Sequence, residues 1–267
     1  MPRTKRYYAP GLVWHVTHRC HERGFLLQFR HERDRWIHWL GETLRRYRLS
    51  VLDYCVTGNH IHVCVYDHGK GEIVRSMQLV QSRVAQEYNV RKGRHGVFWE
   101  GRYHATAVET GVHALRCCSY IDLNMVRAGV VAHPADWPWC GYTEITAGRE
   151  RYRLIDRPRL AEVLAVESVE ELSAIYRDRV AYLLDREQRT RESKWTEAVA
   201  VGDESFVSGV MDKLKDIRSV WHSIANDNQD GSVVLRETRG SYSSDSTVQI
   251  GPLSVNFGPK QRVNRSM

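Results

Sequence analysis

Apolar and polar positions in the first 130 residues follow two periods, one near two residues and one near 3.6, and the switches between them mark out elements. Residues 12 to 19 (LVWHVTHR) are β-branched and aromatic enough for a strand. From His31 to Arg48 the apolar positions Trp36, Leu40, Leu44 and Tyr47 recur at helical spacing with arginines between them, which predicts an amphipathic helix. Residues 51 to 57 (VLDYCVT) and 60 to 66 (HIHVCVY) read as two strands joined by Gly58-Asn59, a hairpin signal because glycine accepts the positive φ of a tight turn. From Glu72 to Tyr88 the stripe Ile73, Met77, Val80, Val84 and Tyr88 predicts a second helix, ended by the basic loop Arg91-Lys92-Gly93-Arg94. Residues 102 to 108 (RYHATAV) read as a further strand, and a third helix is predicted from about Val112 to Arg127.

The order strand, helix, strand, strand, helix, strand, with an added helix, is the split βαβ pattern of a ferredoxin-like α+β domain, an antiparallel sheet covered by helices. Gly129 to Tyr142, with Trp137-Pro138-Trp139, closes it as an aromatic-rich loop. Residues 159 to about 220 read as helical, including a segment from Trp195 to Leu214. Beyond Asn226 the chain is rich in Gly, Ser and Asn, which predicts disorder. The expected division is therefore 1–145 for the α+β domain, 146–225 for a helical appendage and 226–267 for a disordered tail.

Charge sharpens this division. The 267 residues carry a formal charge of +7, and all of that excess falls within residues 1 to 150; the remainder balances to zero. Twelve of the 13 histidines precede residue 134. The first part is thus expected to meet an anionic partner, nucleic acid ahead of a membrane surface, since no basic amphipathic anchor is visible. No run approaches the roughly 18 to 20 apolar residues of a membrane span, and the start MPRTKRYYAP lacks the apolar core of a signal peptide. A cytoplasmic location follows as the expectation. Cysteines 20, 55, 64, 117, 118 and 140 form no CxxC pair, so reduced, packed thiols are expected in place of a disulfide scaffold or zinc ribbon.

Chemistry-bearing residues concentrate in two places. Alternation along residues 60 to 66 puts His60, His62, Cys64 and Tyr66 on one face and Ile61, Val63 and Val65 on the other, so the apolar face is expected to pack and the histidine face to stay free for a ligand. Imidazoles at i and i+2, about 7 Å apart along a strand, can converge on one metal ion, whereas Cys64 lies too far along to join them. A His-x-His pair alone arises readily by chance in a chain with 13 histidines, so a third group is needed. In CSYIDLNMVRAG, Tyr120 and Asn124 share a helix face one turn apart. A divalent ion held by His60, His62 and the Asn124 amide oxygen would polarise a phosphodiester, and Tyr120 would attack it. A capped amphipathic helix with a surface tyrosine is the competing reading.

The segments TGNHIHV, FWEGRY and SYIDLNMVRAG, in this order and at these separations, resemble the REP-associated tyrosine transposases, single-tyrosine HUH transposases of the IS200-like kind. The resemblance spans residues 7 to 145 and extends more loosely through KWTEAVAVGDESFVSGV at 194 to 210. It implies a ferredoxin-like HUH nuclease domain. His60 and His62 match the histidines that bind Mg²⁺ or Mn²⁺, Asn124 the polar third ligand, and Tyr120 the tyrosine that attacks single-stranded DNA to leave a 5′-phosphotyrosine and a free 3′-OH. Met125 stands where many relatives have Pro, and Thr57-Gly58 where Met-Pro or Met-Ser is usual.

The implied partner is a single-stranded DNA hairpin of the repetitive extragenic palindrome type, met by a monomer or homodimer with no membrane role, in the nucleoid-associated cytoplasm. Arg3, Lys5, Arg6, Arg91, Lys92, Arg94, Arg102, Arg116 and Arg127 are candidate DNA contacts, and Trp14, Trp99, Tyr103 and Trp139 candidate stacking platforms. Two alternatives stay open. His15-x-Thr17 and His104-x-Thr106 are His-x-Thr motifs of the kind used by two-histidine phosphoesterases acting on RNA or nucleotides, and the fold also suits a catalytically silent hairpin-binding protein.

Overall fold

The computed structural model describes residues 9–148, 152–186, 190–215, 222–226 and 230–237. Its elements run β1 (Val13–Arg19), α1 (Arg30–Tyr47), β2 (Ser50–Val56), β3 (His60–Tyr66), α2 (Glu72–Arg91), β4 (His104–Val108), α3 (Val112–Asp122), α4 (Asn124–Arg127), α5 (Tyr142–Ala147), α6 (Arg157–Leu164), α7 (Val169–Asp185), α8 (Lys194–Glu197), β5 (Ala200–Gly202), α9 (Glu204–Lys215), β6 (His222–Asn226) and β7 (Val233–Glu237). The sheet order is β2-β3-β1-β4-β5-β7-β6. The first four strands pair antiparallel, as the ferredoxin-like reading predicts, and β4 pairs parallel with β5. No helix among the described residues is long and apolar enough to cross a membrane.

Register decides which residues meet. In β1 and β3, His15 lies opposite Cys64, Thr17 opposite His62 and Arg19 opposite His60. In β1 and β4, His15 lies opposite Thr106 and Thr17 opposite His104. Because side chains alternate across a strand, all of these share one face, and α3 packs against that face through β2, β3 and β4. The opposite face contributes Val16, Ile61, Val63 and Val65 to a core that also holds Trp36, Leu40, Ile73, Met77, Val80 and Val84 from the mutually packed α1 and α2.

Five expectations change. The histidine face is covered: His62 is 2% exposed, and His15 and Cys64 are fully buried. Gly58 is absent from the positive-φ glycines; a Cβ there would sit 3.0 Å from Cδ1 of Phe25. The predicted Val112 to Arg127 helix breaks at Leu123 (φ −77°, ψ 4°) and ends before Gly129, which supplies the positive φ of a helix terminus. The Trp195 to Leu214 segment is α8 and α9 separated by β5, a three-residue strand too short for a periodic signature.

The fifth concerns the tail. Asn226 and Val233–Glu237 lie in strands, while residues 238–267 fall outside the described ones. Val233, Val234 and Leu235 are buried between β5 and β6, and Val199 N–H donates to Leu235 O at 2.7 Å, so three consecutive apolar residues anchor an otherwise polar stretch. The expected helical appendage thereby contributes a strand to the same sheet as the histidines. All six cysteines are unpaired and buried.

Candidate active site

One cleft of about 590 Å³ opens on the histidine face, lined among others by Arg19, His60, His62, Arg102, Tyr120, Asn124, Arg127 and Arg191. β3 supplies the histidines two residues apart, and their rings meet edge to face with centroids 5.0 Å apart. The α3 helix carries Tyr120 over them: its ring lies 5.9 Å from His62, 6.3 Å from His15 and 6.2 Å from Trp195. Asn124, at the start of α4, turns its Nδ2 back onto the Tyr120 and Ile121 carbonyls at 3.3 and 3.2 Å, which leaves Oδ1 as the atom available to the cleft. Its side chain is also a hydrogen-bond partner of His60. The predicted Tyr120–Asn124 pairing on one face thus holds although the helix breaks between them.

Each histidine is oriented through Nδ1. His60 Nδ1 lies 2.7 Å from Asn59 Oδ1 and 2.9 Å from Thr57 Oγ1. The Thr57 hydroxyl donates to His60 O, so its oxygen accepts from the ring. The His60 proton therefore sits on Nδ1, and Nε2 keeps its lone pair. His62 Nδ1 lies 2.9 Å from His15 Nε2. Burial pushes the His60 imidazole down to about 4, helped by the charge of Arg19 and opposed by Asn124. Burial likewise pushes His62 well below its ordinary value, with His60, His15, Arg127 and Arg19 adding in the same direction. Both rings are neutral near pH 7, the state a metal ligand needs.

Burial raises the Tyr120 hydroxyl above its ordinary value, opposed by the positive charges of Arg127 and Arg191. Arg127 lies over the Tyr120 ring, 4.0 Å from guanidinium carbon to centroid. A phenol flanked by cations has its anion stabilised by the charges that also attract a phosphate.

Residues 9–124 match the model of the family described as transposase IS200 like. The stretch is thus similar to IS200-like transposases over a little under half of the chain. The matched stretch ends at Asn124, so both histidines, Tyr120 and Asn124 lie within it. No curated protein matches the chain. A solved structure described as a REP-associated tyrosine transposase bound to a REP hairpin is similar at 20% identity and a TM-score of 0.46, over 55% of this chain and 86% of that one.

Of the candidate DNA contacts, Arg102 and Arg127 line the cleft. Arg91, Lys92 and Arg94 gather at the end of α2 instead, Arg91 paired with Glu32, Lys92 5.4 Å from the Phe29 ring and Arg94 donating to Val97 O. Arg116 is held by Asp230 at 3.1 Å. Arg3, Lys5 and Arg6 lie outside the described residues. Trp14, Trp99, Tyr103 and Trp139 are all buried; Trp99 stacks on His18 at 4.6 Å and Trp139 carries the Arg33 guanidinium at 3.9 Å.

Sequence reasoning missed Arg19, Arg191 and Trp195 at this site, and read His15 as half of a chance motif. The two His-x-Thr motifs serve as a clamp. His15 Nδ1 bonds Trp195 O at 2.8 Å, His104 Nε2 bonds Ala198 O at 2.8 Å, and Thr106 Oγ1 donates to Ala198 O at 2.7 Å. They tie the 195–198 segment to the sheet.

Proposed function

We propose that this protein is an IS200-like transposase, a single-strand-specific DNA endonuclease and strand transferase that acts on palindromic hairpins through Tyr120. The observation that carries the reading is the convergence of Tyr120, His60, His62 and Asn124 in one cleft flanked by Arg19, Arg127 and Arg191. The Tyr120 phenolate oxygen attacks the scissile phosphorus, the phosphorus–oxygen bond to the 3′ side breaks, and the products are a 5′-phosphotyrosine and a free 3′-OH. The transesterification conserves the phosphodiester energy, so the strand can be rejoined by the reverse attack without a nucleotide cofactor. Arg127 holds the phenolate and the phosphate oxygens by charge, and the remaining cleft arginines bind the strand on either side.

The residues present fit a divalent ion. His60 offers Nε2, Asn124 offers Oδ1, and His62 is the second imidazole. The Asn124 amide would be the third protein ligand beside the two imidazoles. When bound, Mg²⁺ or Mn²⁺ supplies Lewis-acid polarisation of the phosphate, and the imidazoles suit Mn²⁺ better than Mg²⁺.

The two-histidine phosphoesterase reading needs both His-x-Thr imidazoles on the substrate. His15 is fully buried with both nitrogens engaged, which favours the tyrosine reading. The test is a denaturing gel of the protein with labelled single-stranded hairpin DNA in Mg²⁺, Mn²⁺ or EDTA, for wild type and Tyr120→Phe. A metal-dependent covalent band lost in the variant is expected; cleavage that survives both EDTA and Tyr120→Phe would overturn the mechanism.

A further inference from the structure

His15 sits beneath the site and touches no solvent. Its Nδ1 is 2.8 Å from the Trp195 carbonyl oxygen and its Nε2 is 2.9 Å from His62 Nδ1. The rings of His15 and His62 are stacked within 14° of parallel at 5.0 Å. Elementary bookkeeping of protons then leaves one arrangement. A carbonyl oxygen can only accept, so His15 Nδ1 must carry a proton. A second proton on His15 would make an imidazolium sealed from water, held only between a carbonyl and another imidazole. His15 is therefore neutral, its Nε2 is a bare acceptor, and His62 Nδ1 must be the donor. A neutral His62 that donates from Nδ1 has its lone pair on Nε2.

We infer that His15, oriented by the Trp195 carbonyl, is a positioning residue that locks His62 in the Nδ1–H tautomer and so presents Nε2 as a ligand atom to the cleft. Its consequence for metal binding rests on the function proposed above; the tautomer itself does not. The device spans the chain: residue 195, well beyond the matched stretch 9–124, sets the protonation pattern of a residue in β3 through a residue in β1. Outer hydrogen-bond partners of metal-bound histidines act in this way, fixing ring orientation and raising ligand basicity. His60 is served by a separate local device, Thr57 and Asn59. The two histidines are thus oriented independently, one by its own turn and one by the C-terminal segment.

The test needs no metal. The full chain is labelled with ¹⁵N, stripped with EDTA, and its imidazole rings are read by long-range ¹H–¹⁵N correlation, with His62 assigned by its loss in His62→Gln. Wild type is expected to show the Nδ1–H tautomer at His62. His15→Gln retains a donor toward Trp195 and an acceptor toward His62, so the tautomer should persist. His15→Leu removes the acceptor, and His62 should become mixed or shift to Nε2–H. An Nε2–H tautomer in wild type, or an unchanged one in His15→Leu, would overturn the inference. The wild-type spectrum decides even where His15→Leu does not fold.

Mn²⁺ titration followed by electron paramagnetic resonance then separates the two readings. Binding should be near wild type in His15→Gln and weaker by about 10- to 100-fold in His15→Leu. Should wild type show the expected tautomer yet bind Mn²⁺ no better than His60→Ala, the lock stands and the metal reading falls.

Discussion

The Arg127 guanidinium covers the Tyr120 ring and its Nη2 donates to the Tyr120 carbonyl at 2.5 Å, so one arginine binds both the ring and the backbone of the same residue. The contact spans the break at Leu123, which separates α3 from α4 between the two residues. Arg127 is itself largely buried, and its loss would leave the Tyr120 hydroxyl raised by burial with a nearby opposing charge removed.

Arg127→Ala is accordingly expected to slow covalent adduct formation by about 10²-fold, the typical cost of removing one preorganised donor. Hairpin affinity should fall far less, by one phosphate contact among many. The raised hydroxyl also means that the single-turnover rate of wild type should still be climbing at pH 8 to 9. A rate that is flat above pH 7, with Arg127→Ala indistinguishable from wild type, would remove Arg127 from the chemistry.

Asp230 ties the last strands to the body. Lys194, 2% exposed, reaches it at 2.7 Å and Arg116 at 3.1 Å, and although burial acts the other way, hydrogen bonds from Lys194 and Ser232 hold the carboxyl down to about 2. A depressed carboxylate stabilises above its unfolded value, near 3.9, and loses that contribution as pH falls through its folded value. Asp230→Asn should therefore lower Tm at pH 7 by a few degrees, and the gap to wild type should shrink between about pH 4 and pH 2. Thermal melts across that range check it, and a gap independent of pH would show that the charge is not what holds β7.

Behind Tyr120 lie two carboxylates in one buried cluster. Asp122 accepts from Tyr142 N–H at 3.1 Å and Tyr176 Oη at 2.7 Å, and burial carries it to about 7. Burial and the charge of Asp122 carry Asp53 well above its ordinary range. A carboxyl whose folded value is raised destabilises the fold increasingly as pH rises past its unfolded value. Asp53→Asn, which keeps an oxygen for the Tyr54 N–H bond at 2.7 Å, should raise Tm at pH 8 and have little effect at pH 4. Denaturant melts at the two pH values should differ by about 1–3 kcal/mol in the effect of the substitution; equal effects would mean that the fold does not raise the Asp53 carboxyl.

Phosphate contacts release counterions, so hairpin affinity should fall steeply with salt, by several tenfold steps between 50 and 200 mM if six or more contacts form. Fluorescence anisotropy with a labelled hairpin measures the slope. Charge reversal at Arg19 or Arg191 in the cleft should flatten it by about one contact each, and a flat profile in wild type would contradict a basic DNA-binding face.

Much of the site was legible in the chain itself. Alternation with period two places His60 and His62 on one face whatever the rest of the fold does, and a four-residue step places Tyr120 and Asn124 together on a helix. The strand and helix order likewise pointed to the antiparallel core, because each element buries a stripe long enough to show its period. Short or unpatterned elements were not legible: β5 has three residues, and β7 hides three apolar residues in a polar tail. Gly58 was recognisable as a turn, but its close neighbour, the Phe25 ring, comes from another segment.

What the sequence determined by itself is therefore the local geometry, which residues share a strand face or a helix stripe, since backbone periodicity sets that within a few residues. Tertiary structure alone decided the partners: His15 under His62 at a separation of 47 residues, Trp195 under His15 at 180, and the C-terminal strands added to the sheet that carries the histidines. Such contacts are set by sheet register and by the burial of distant apolar segments, and neither leaves a periodic trace in the chain.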